Sequence, residues 1–197
     1  MLSGRIIRLL KLFTIIISLG VISGVTLFIL IDNNLIGINI IPEVESSVEF
    51  RLLIPKINLE KEVISNVDPR DDNIYKEAFR KGIAHGLGTK FPDEIGNTYL
   101  YAHSTRDVKD IERNAGWFTR LDELSVGDEF TIIYGHKIYI YSIASIDIVD
   151  PRATGVYTAY APIQMVTMQT CHPRGEIEER LILKAVLLKT EDIANNS

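Results

Sequence analysis

The feature that most restricts the fold of this chain is a pair of β-rich runs joined by a short turn, EFTIIYGHKIYIYSIASIDIVDP. The runs are rich in β-branched and aromatic residues, which strands favour, and YGHK is typical of a turn between two antiparallel strands. In the second run, apolar residues recur with a period of two, as on a strand with one buried face. They are at positions 138, 140, 144, 146 and 148. The segment therefore predicts a β-hairpin that buries this face.

Similar short runs on both sides of this hairpin predict further strands. They are VEFRLLIPKINLEKEVI, TYLYAH, IQMVTMQTC and RLILKAVLLK. Pro55 divides the first run into two strands, because proline cannot donate a hydrogen bond to a strand ladder. Two helical patterns complete the set: NIYKEAFRKG, with Gly82 as its C-cap, and AGWFTRLDEL. About eight strands with few helices predict a mostly-β fold, either a closed barrel or a sandwich.

The N-terminal part of the chain predicts a membrane anchor. Leu12 to Ile31 is an uncharged, apolar stretch preceded by the cations Arg5, Arg8 and Lys11. A helix of this length covers about 30 Å, the hydrocarbon thickness of a bilayer. We expect the helix to be retained, since a cleaved secretory signal usually has a shorter apolar part, although SLG and ISG are candidate cleavage points. The positive-inside rule then leaves the N-terminus in the cytoplasm and the rest of the chain outside the cell.

These patterns divide the chain into five parts. Residues 1–11 are cytoplasmic, 12–31 form the transmembrane span, 32–47 form a linker, 48–190 form the folded domain and 191–197 are a tail. The domain is long enough for one hydrophobic core. The net charge is −5, and no cluster of lysine or arginine outside the N-terminus marks a nucleic-acid site. We therefore expect a single-pass protein of the cell membrane with an extracellular domain, which contacts lipid through its helix and binds no nucleic acid.

Cys171 is the single cysteine of the chain, so no intramolecular disulfide can form. An unpaired cysteine in an exported protein suggests a reactive thiol or an intermolecular disulfide, whereas a buried cysteine is usually inert. If IQMVTMQTC is a strand, Cys171 shares a face with Met165, Thr167 and Gln169, and Thr170 lies on the opposite face. The face of Cys171 is the more polar one, which favours a thiol that opens on a groove.

A thiolate nucleophile needs a neighbouring base or cation, and the chain has four histidines. His172 is next to Cys171, but neighbours on a strand point to opposite faces. His136 is in the predicted hairpin turn, where we expect it to be solvated, and His85 is in a glycine-rich loop, where a structural role is expected. His103 ends the predicted strand TYLYAH, and a strand end can hold a reactive group rigidly. His103 is therefore the leading candidate for the base.

Two arginines follow the cysteine and could stabilise an oxyanion, because a guanidinium carries a permanent charge and a fixed fork of N–H donors. Arg174 is on the predicted loop after Cys171, whereas Arg180 opens the next strand and could return beside the thiol. Arg180 is therefore the better candidate. Either side chain could instead be an ordinary surface cation, since three glutamates are close in sequence.

Several segments, in order along the chain, resemble motifs of the sortases, the cysteine transpeptidases of bacterial cell surfaces. LLIPKINLEKEV is similar to the opening strand pair of that family, GIAHGLGTKFPDEIGNTYLYAHS to the segment that leads to its catalytic histidine, and WFTRLDELSVGDEFTI to its F-x-x-L-x-x-L-x-x-G-D segment. TMQTC resembles the signature T-L-x-T-C, from whose commonest text Met168 and Gln169 depart, and RLILKAVL resembles the last strand, which carries an arginine. The resemblance covers Phe50 to Lys189.

This resemblance implies a closed, eight-stranded, sortase-like β-barrel with a cysteine nucleophile. Cys171 would be the nucleophile and His103 the acid and base, while Arg180 would stabilise the oxyanion or hold the substrate backbone and Thr170 would help to shape the substrate pocket. The implied reaction cleaves a Leu-Pro-x-Thr-Gly-like sorting signal of a surface protein through a thioacyl-enzyme. The acyl group would pass to an amine of a peptidoglycan precursor or of a pilin. The sortase subclass and the sorting motif stay open.

Two other functions are open at this point. One is a membrane-tethered thiol hydrolase that uses Cys171 and His103, and the other is a catalytically silent barrel that binds surface ligands. No cofactor or metal is predicted. Calcium activates some sortases, and this chain has acidic residues that could take part, although such residues usually only face solvent: Asp107, Asp110, Glu176 and Glu178.

Overall fold

The computed structural model describes residues 28–31, 34–37, 48–153, 155 and 161–193. The chain divides into two compact units, Met1–Ser46 and Ser47–Ser197. Each unit is described by itself below.

The described part of the first unit is a pair of short strands. Strands β1 (Phe28–Ile31) and β2 (Asn34–Gly37) pair antiparallel. The last four residues of the predicted transmembrane helix are thus a strand, in keeping with the β-branched and aromatic residues in FILI. Residues 12–27 of the predicted span lie outside the described residues. Within the part of the chain that the structure describes, no helix has the length and apolar character needed to cross a bilayer.

The second unit is built on a closed barrel of eight strands, which confirms the predicted mostly-β barrel. The strands are β3 (Phe50–Ile54), β4 (Leu59–Val67), β5 (Ile83–Gly86), β6 (Gly96–Tyr101), β7 (Glu129–Tyr134), β8 (Lys137–Val149), β9 (Gln164–His172) and β10 (Glu179–Asp192). Their order around the barrel is β10-β8-β7-β3-β4-β5-β6-β9, and β9 closes on β10. The pairs β4–β5 and β6–β9 are parallel. The C-terminal ends of β6 and β9 therefore lie at the same end of the barrel.

The helices lie in the connections between strands. Helix α1 (Asp72–Lys81) joins β4 to β5, and the short helix α2 (Ile111–Asn114) lies between β6 and β7. The side chain of Asp71 accepts hydrogen bonds from two backbone N–H groups in the first turn of α1, as a good N-cap does. Gly82 ends α1, as predicted. Three 3-10 turns complete the described connections: Pro55–Ile57, Val108–Asp110 and Leu121–Glu123.

The helix predicted over AGWFTRLDEL is wrong. Ile111–Asn114 is helical before this segment and Leu121–Glu123 forms a 3-10 turn near its end. Between them, a Cβ on Gly116 would lie 2.4 Å from Thr105 Cγ2. The hydroxyl of Thr119 donates to the Gly116 carbonyl at 2.6 Å and accepts from the Thr105 N–H at 2.8 Å. Such side chain-to-backbone bonds compete with the helical ladder.

The hairpin formed by β7 and β8 is confirmed, with Gly135 in its turn at φ +60°. The predicted buried face of β8 is wrong. Tyr139, Tyr141 and Ile143 are buried, whereas the apolar residues at 138, 140, 144, 146 and 148 are half-exposed or exposed. Tyr141 stacks on Phe130 with ring centroids 5.5 Å apart. The aromatic rings bury more apolar area than the isoleucines on the other face.

The hydrophobic core fills the barrel, and every barrel strand contributes to it. One buried residue from each strand, in chain order, is Leu52, Val63, Ile83, Leu100, Ile132, Tyr141, Met168 and Leu183. Pro55 lies at the bend between β3 and β4, as predicted. A core that is closed on all sides makes a rigid frame for the strand ends.

Candidate active site

Cys171 lies near the C-terminal end of β9, and the pairing of β9 with β10 places an arginine beside it. Cys171 is directly opposite Arg180 in the antiparallel register, and Thr170 is opposite Leu181. Directly opposed residues point to the same face, with Cβ atoms about 4.5–5.5 Å apart. The structure thus brings Arg180 next to the thiol, as the position of Arg180 at the start of a strand predicted.

The segment that carries His103 runs along the other side of β9. Tyr101, the last residue of β6, is opposite Gln169 in the parallel register, and the chain continues along β9 beyond it. The Ala102 N–H donates to the Gln169 carbonyl at 3.3 Å. The Thr170 hydroxyl donates to the Ala102 carbonyl at 3.0 Å. The residue before His103 is therefore bonded to β9 on both its amide and its carbonyl side.

The residue after the histidine is also bonded to β9. The hydroxyl of Ser104 donates to the Cys171 carbonyl at 2.9 Å. Because Ala102 and Ser104 are both held on β9, His103 between them is held beside Cys171. Neighbouring strands are about 4.8 Å apart. The structure therefore places the backbones of His103, Cys171 and Arg180 side by side, on the segment that follows β6, on β9 and on β10.

These three residues lie in a cleft of about 350 Å³ at one end of the barrel. Cys171 is half-buried, so the thiol is neither sealed in the core nor fully exposed. Strands β6 and β9 and helix α1 supply most of the walls, and aromatic rings are prominent among them. The lining residues are Pro69, Asp72, Tyr75, Phe79, Tyr99, Tyr101, Ala102, His103, Pro151, Ala153, Gln169, Thr170, Cys171 and Arg180.

Helix α1 fixes the imidazole of His103. The ring of Phe79 packs edge-on against that of His103, with centroids 4.5 Å apart and planes at 70°. The indole N–H of Trp117 donates to the Phe79 carbonyl at 2.7 Å and so fixes this part of the helix. Partial burial lowers the pKa of His103 below its usual 6.5, and the nearby charge of Lys76 lowers it further. This shift favours the neutral imidazole, the form that can accept a proton from the thiol.

The other three histidines lie outside this cleft. His85 is fully buried, where Nδ1 accepts from the Asn66 N–H at 3.2 Å and Nε2 lies 3.1 Å from the Lys90 carbonyl oxygen. His85 lies on β5 and not in the predicted glycine-rich loop, and both of its ring nitrogens contact backbone groups. His136 is exposed in the turn between β7 and β8. His172 ends β9 and does not line the cleft.

The two candidate arginines have different surroundings. The Nη1 group of Arg180, which lines the cleft, donates to the carbonyls of Ile177 at 3.0 Å and Glu179 at 2.9 Å. Arg174 does not line the cleft, and its Nε donates to Asp122 Oδ2 at 2.7 Å. Of the two arginines, Arg180 is the one that lines the cleft together with Cys171.

The alternation along β9 agrees with the predicted faces at most positions. Gln169 and Cys171 are half-buried, and Thr170 is buried. Thr167 was predicted to share the face of Cys171 but is buried, and its hydroxyl donates to Asn97 Oδ1 at 2.8 Å. Thr170 lines the cleft, yet its one hydroxyl proton is donated to a backbone carbonyl. The side chain of Thr170 therefore forms part of the pocket wall, and its hydroxyl proton is not free to bind a ligand.

The described residues contain no group of three or more histidine, cysteine, aspartate or glutamate side chains that could hold a metal ion. Three of the acidic residues considered for calcium each pair with a neighbouring cation: Asp107 with Lys109, Asp110 with Arg113 and Glu176 with Arg106.

Three residues that shape the site were not predicted to do so. Phe79 is on the predicted helix NIYKEAFRKG, and only its apolar character could have marked it as buried. Ser104 directly follows His103 but belongs to no pattern of its own. Asp122 binds Arg174 across a sequence separation of 52 residues, which a local pattern cannot reveal.

Comparison with known proteins identifies the fold. The sortase domain family matches residues 52–188, and a comparison with curated proteins gives no match. A sortase D5 transpeptidase from Clostridium perfringens has 26% identity and a TM-score of 0.59, over 73% of this chain and 80% of that chain. Sortase C-3 from Streptococcus pneumoniae has 21% identity and a TM-score of 0.62, over 76% of this chain and 66% of that chain. Sortase A from Listeria monocytogenes has 18% identity and a TM-score of 0.62, over 75% of this chain and 92% of that chain.

The fold is a closed barrel with a histidine, a cysteine and an arginine in one cleft. The family match covers more than half of the chain. This chain belongs to the sortase family, whose members are cysteine transpeptidases.

Proposed function

We propose that this protein is a membrane-anchored cysteine transpeptidase that acts on a Leu-Pro-x-Thr-Gly-like sorting signal. It transfers the acyl group of a surface protein to an amine of a peptidoglycan precursor or of a pilin. The observation that carries the proposal is that His103, on the segment after β6, Cys171 on β9 and Arg180 on β10 lie side by side in one cleft. Family membership supports the reaction class and the kind of substrate.

The first half of the reaction forms a thioester. The neutral imidazole of His103 takes the proton of the Cys171 thiol, and the thiolate attacks the carbonyl carbon of the scissile peptide bond. The carbonyl oxygen becomes negatively charged, and the guanidinium of Arg180 stabilises it. The C–N bond then breaks, the proton held by His103 goes to the departing amine, and the acyl group stays on the sulfur.

The second half of the reaction transfers the acyl group. The acceptor amine attacks the thioester carbonyl, His103 takes a proton from the amine, and a new amide bond forms as the C–S bond breaks. The proton then passes from His103 to the sulfur of Cys171, which restores the starting state. In the free enzyme the thiol and the imidazole share one proton, so their apparent pKa values belong to the pair.

The proposal places the enzyme at the cell membrane, with its N-terminus in the cytoplasm and the catalytic domain outside. The uncharged apolar stretch and the three cations before it support this placement. A tethered enzyme meets membrane-tethered substrates at a raised effective concentration. Alkaline extraction of membranes and protease digestion of intact cells test it: release of the chain by alkali, or protection of the domain from protease, would contradict the placement.

The experiment that tests the reaction uses the full chain in detergent, a library of sorting-signal peptides and an added amine, with products measured by mass. We expect a one-to-one acyl adduct on Cys171 and a new amide product, and loss of both in Cys171→Ala and His103→Ala. Free acid as the only product would identify a thiol hydrolase. A correctly folded protein that forms no adduct with any peptide would be a silent barrel. The proposal includes no cofactor, so calcium or a chelator should leave the rate unchanged.

A further inference from the structure

The loop between β9 and β10 connects the cysteine to the arginine of the proposed site, and it is anchored at three successive residues. Arg174 binds Asp122 on the 3-10 turn Leu121–Glu123. Gly175, at φ +73°, packs so tightly that a Cβ would lie 2.6 Å from the Arg106 backbone nitrogen. Glu176 forms an ion pair with the side chain of Arg106. The loop is therefore attached to the segment after His103 and to the 3-10 turn.

The anchor at Arg174 is the strongest of the three. Its guanidinium contacts both carboxylate oxygens of Asp122 and also donates to Glu123 Oε1 at 2.9 Å. The Arg174 and Asp122 side chains are only 28% and 30% exposed, so water screens this two-point pair less than it screens a surface pair. Hydrogen bonds from Arg120 and then from Arg174 lower the pKa of Glu123 to about 2, so its carboxylate stays ionised.

The acidic side of this anchor is itself fixed to the barrel. Arg120 pairs with Glu123 and donates from Nη1 to the Ile57 carbonyl at 3.0 Å. Ile57 belongs to the turn between β3 and β4. The loop at Arg174 is thus connected, through Glu123 and Arg120, to the rigid barrel.

The far end of the same loop holds the guanidinium of Arg180. Its Nη1 donates to the Ile177 carbonyl at 3.0 Å. The side chain of Ile177 is 74% exposed, so no burial of that side chain fixes the carbonyl. Ile177 directly follows Glu176, the last of the three anchored residues, whereas the second acceptor of Arg180 Nη1, the Glu179 carbonyl, lies on β10.

We infer that Arg174 is a positioning residue of the transpeptidase site: its ion pair with Asp122 and Glu123 holds the loop, and with it the Ile177 carbonyl that binds the guanidinium of Arg180. Arg174 touches neither the substrate nor the reacting atoms and acts through Arg180. This inference rests on the proposed function, because the role of Arg180 belongs to that proposal. Arg174, which does not line the cleft, thus has a role of its own in the site.

The test compares Arg174→Ala and Arg174→Lys with the matched control Arg51→Ala in the full chain. Arg51 also pairs with two carboxylates, those of Glu49 and Glu60, but lies on β3 and does not line the cleft. We expect the single-turnover rate of thioester formation to fall by about tenfold to a hundredfold in Arg174→Ala, since small misplacements of a catalytic group cost this much. In Arg174→Lys the ammonium group can keep one contact with the carboxylates, so the rate should lie between those of Arg174→Ala and the wild type. KM for the peptide should change little, and the control should keep the wild-type rate.

A double-mutant cycle separates this role from a general loss of stability. If Arg174 acts through Arg180, Arg174→Ala should cost far less in an Arg180→Lys background than alone. Equal costs in both backgrounds, or a wild-type rate in Arg174→Ala, would overturn the inference. Should Arg174→Ala fold poorly, Asp122→Asn breaks the same pair and must give the same pattern.

A second measurement does not depend on transpeptidation. Amide hydrogen exchange at Gly175 to Arg180 should become faster in Arg174→Ala and stay unchanged in Arg51→Ala. Unchanged exchange in Arg174→Ala overturns the inference even if the wild-type chain is active. If the wild-type chain is inactive but exchange is faster in Arg174→Ala, the role of Arg174 as a loop anchor stands and the proposed function does not.

Discussion

The hydroxyl of Thr170 joins the strand of the cysteine to the segment of the histidine, and its removal is a direct test of the site. Thr170 and Ala102 are 4% and 5% exposed, and the bond between them is 3.0 Å long. Thr170→Val keeps the side-chain shape but leaves the buried Ala102 carbonyl without this donor. Such an unsatisfied group costs about 1–3 kcal/mol. At roughly 2–4 °C per kcal/mol for a domain of this size, Tm should fall by several degrees.

The effect on activity should exceed the effect on stability. His103 directly follows Ala102, so the loss of this bond lets the imidazole move relative to Cys171. A displacement near 1 Å can cost on the order of a hundredfold in rate, and we expect the rate of thioester formation to fall by about tenfold or more. The measurement is single-turnover acylation well below Tm, alongside urea unfolding of the same samples.

The matched control is Thr167→Val on the same strand. Thr167 is 1% exposed and donates its hydroxyl to Asn97 Oδ1 at 2.8 Å, so its removal should cost a similar stability. It lies farther from the reacting groups and does not line the cleft, and we expect the wild-type rate. The reasoning is refuted if both variants lose activity equally, or if Thr170→Val is less stable but fully active.

Three further predictions concern titration and packing. The charge of Lys76 contributes to lowering the pKa of His103, so Lys76→Met should move the acid limb of kcat/KM, which belongs to the coupled thiol and imidazole, to higher pH. Lys81→Met should leave this limb in place, and an unmoved limb in Lys76→Met would contradict the stated cause. Burial lowers the pKa of His85, so the unfolded state binds its proton first and the free energy of unfolding falls as pH drops below 6.5. Between pH 7.5 and pH 5.5, the free energy of unfolding measured with urea should fall less in His85→Gln than in the wild type. An equal fall in the two proteins would contradict this role of His85. Phe79→Leu removes the ring contact with His103 and should slow acylation with little change in KM, whereas a rise in KM alone would show that Phe79 only binds peptide.

The parts of the site that depend on strand periodicity could be predicted from the sequence. A strand alternates its faces locally, so TMQTC alone predicts that Thr170 and Cys171 point to opposite sides. The position of Arg180 at the start of the last strand predicted its return beside the thiol, and the structure has this pairing. TYLYAH predicted a strand that ends at His103, whereas β6 ends at Tyr101 and His103 follows two residues later.

Features that depend on how the barrel closes could not be predicted in this way. Both faces of β8 carry large apolar residues, and only its neighbours in the closed barrel decide that Tyr139 and Tyr141 are inside. The bond from Ser104 to the Cys171 carbonyl joins residues 67 positions apart. The ion pair of Arg174 with Asp122 is equally non-local. Contacts of this kind have no periodicity along the chain, so no local pattern marks them.

The register between β6 and β9 decides whether the thiol has a partner. The parallel ladder runs from Gly96 opposite Gln164 to Tyr101 opposite Gln169 without a shift. A slip of one residue would turn every side chain of β6 to the other face and would change which residue of β9 lies opposite each residue of β6. The ladder itself ends before His103, and parallel pairing is slightly less stable per residue than antiparallel pairing. The side-chain bonds beyond the ladder therefore set the alignment at the reacting groups. The reactivity of the single cysteine depends on this alignment more than on the residues next to it in sequence.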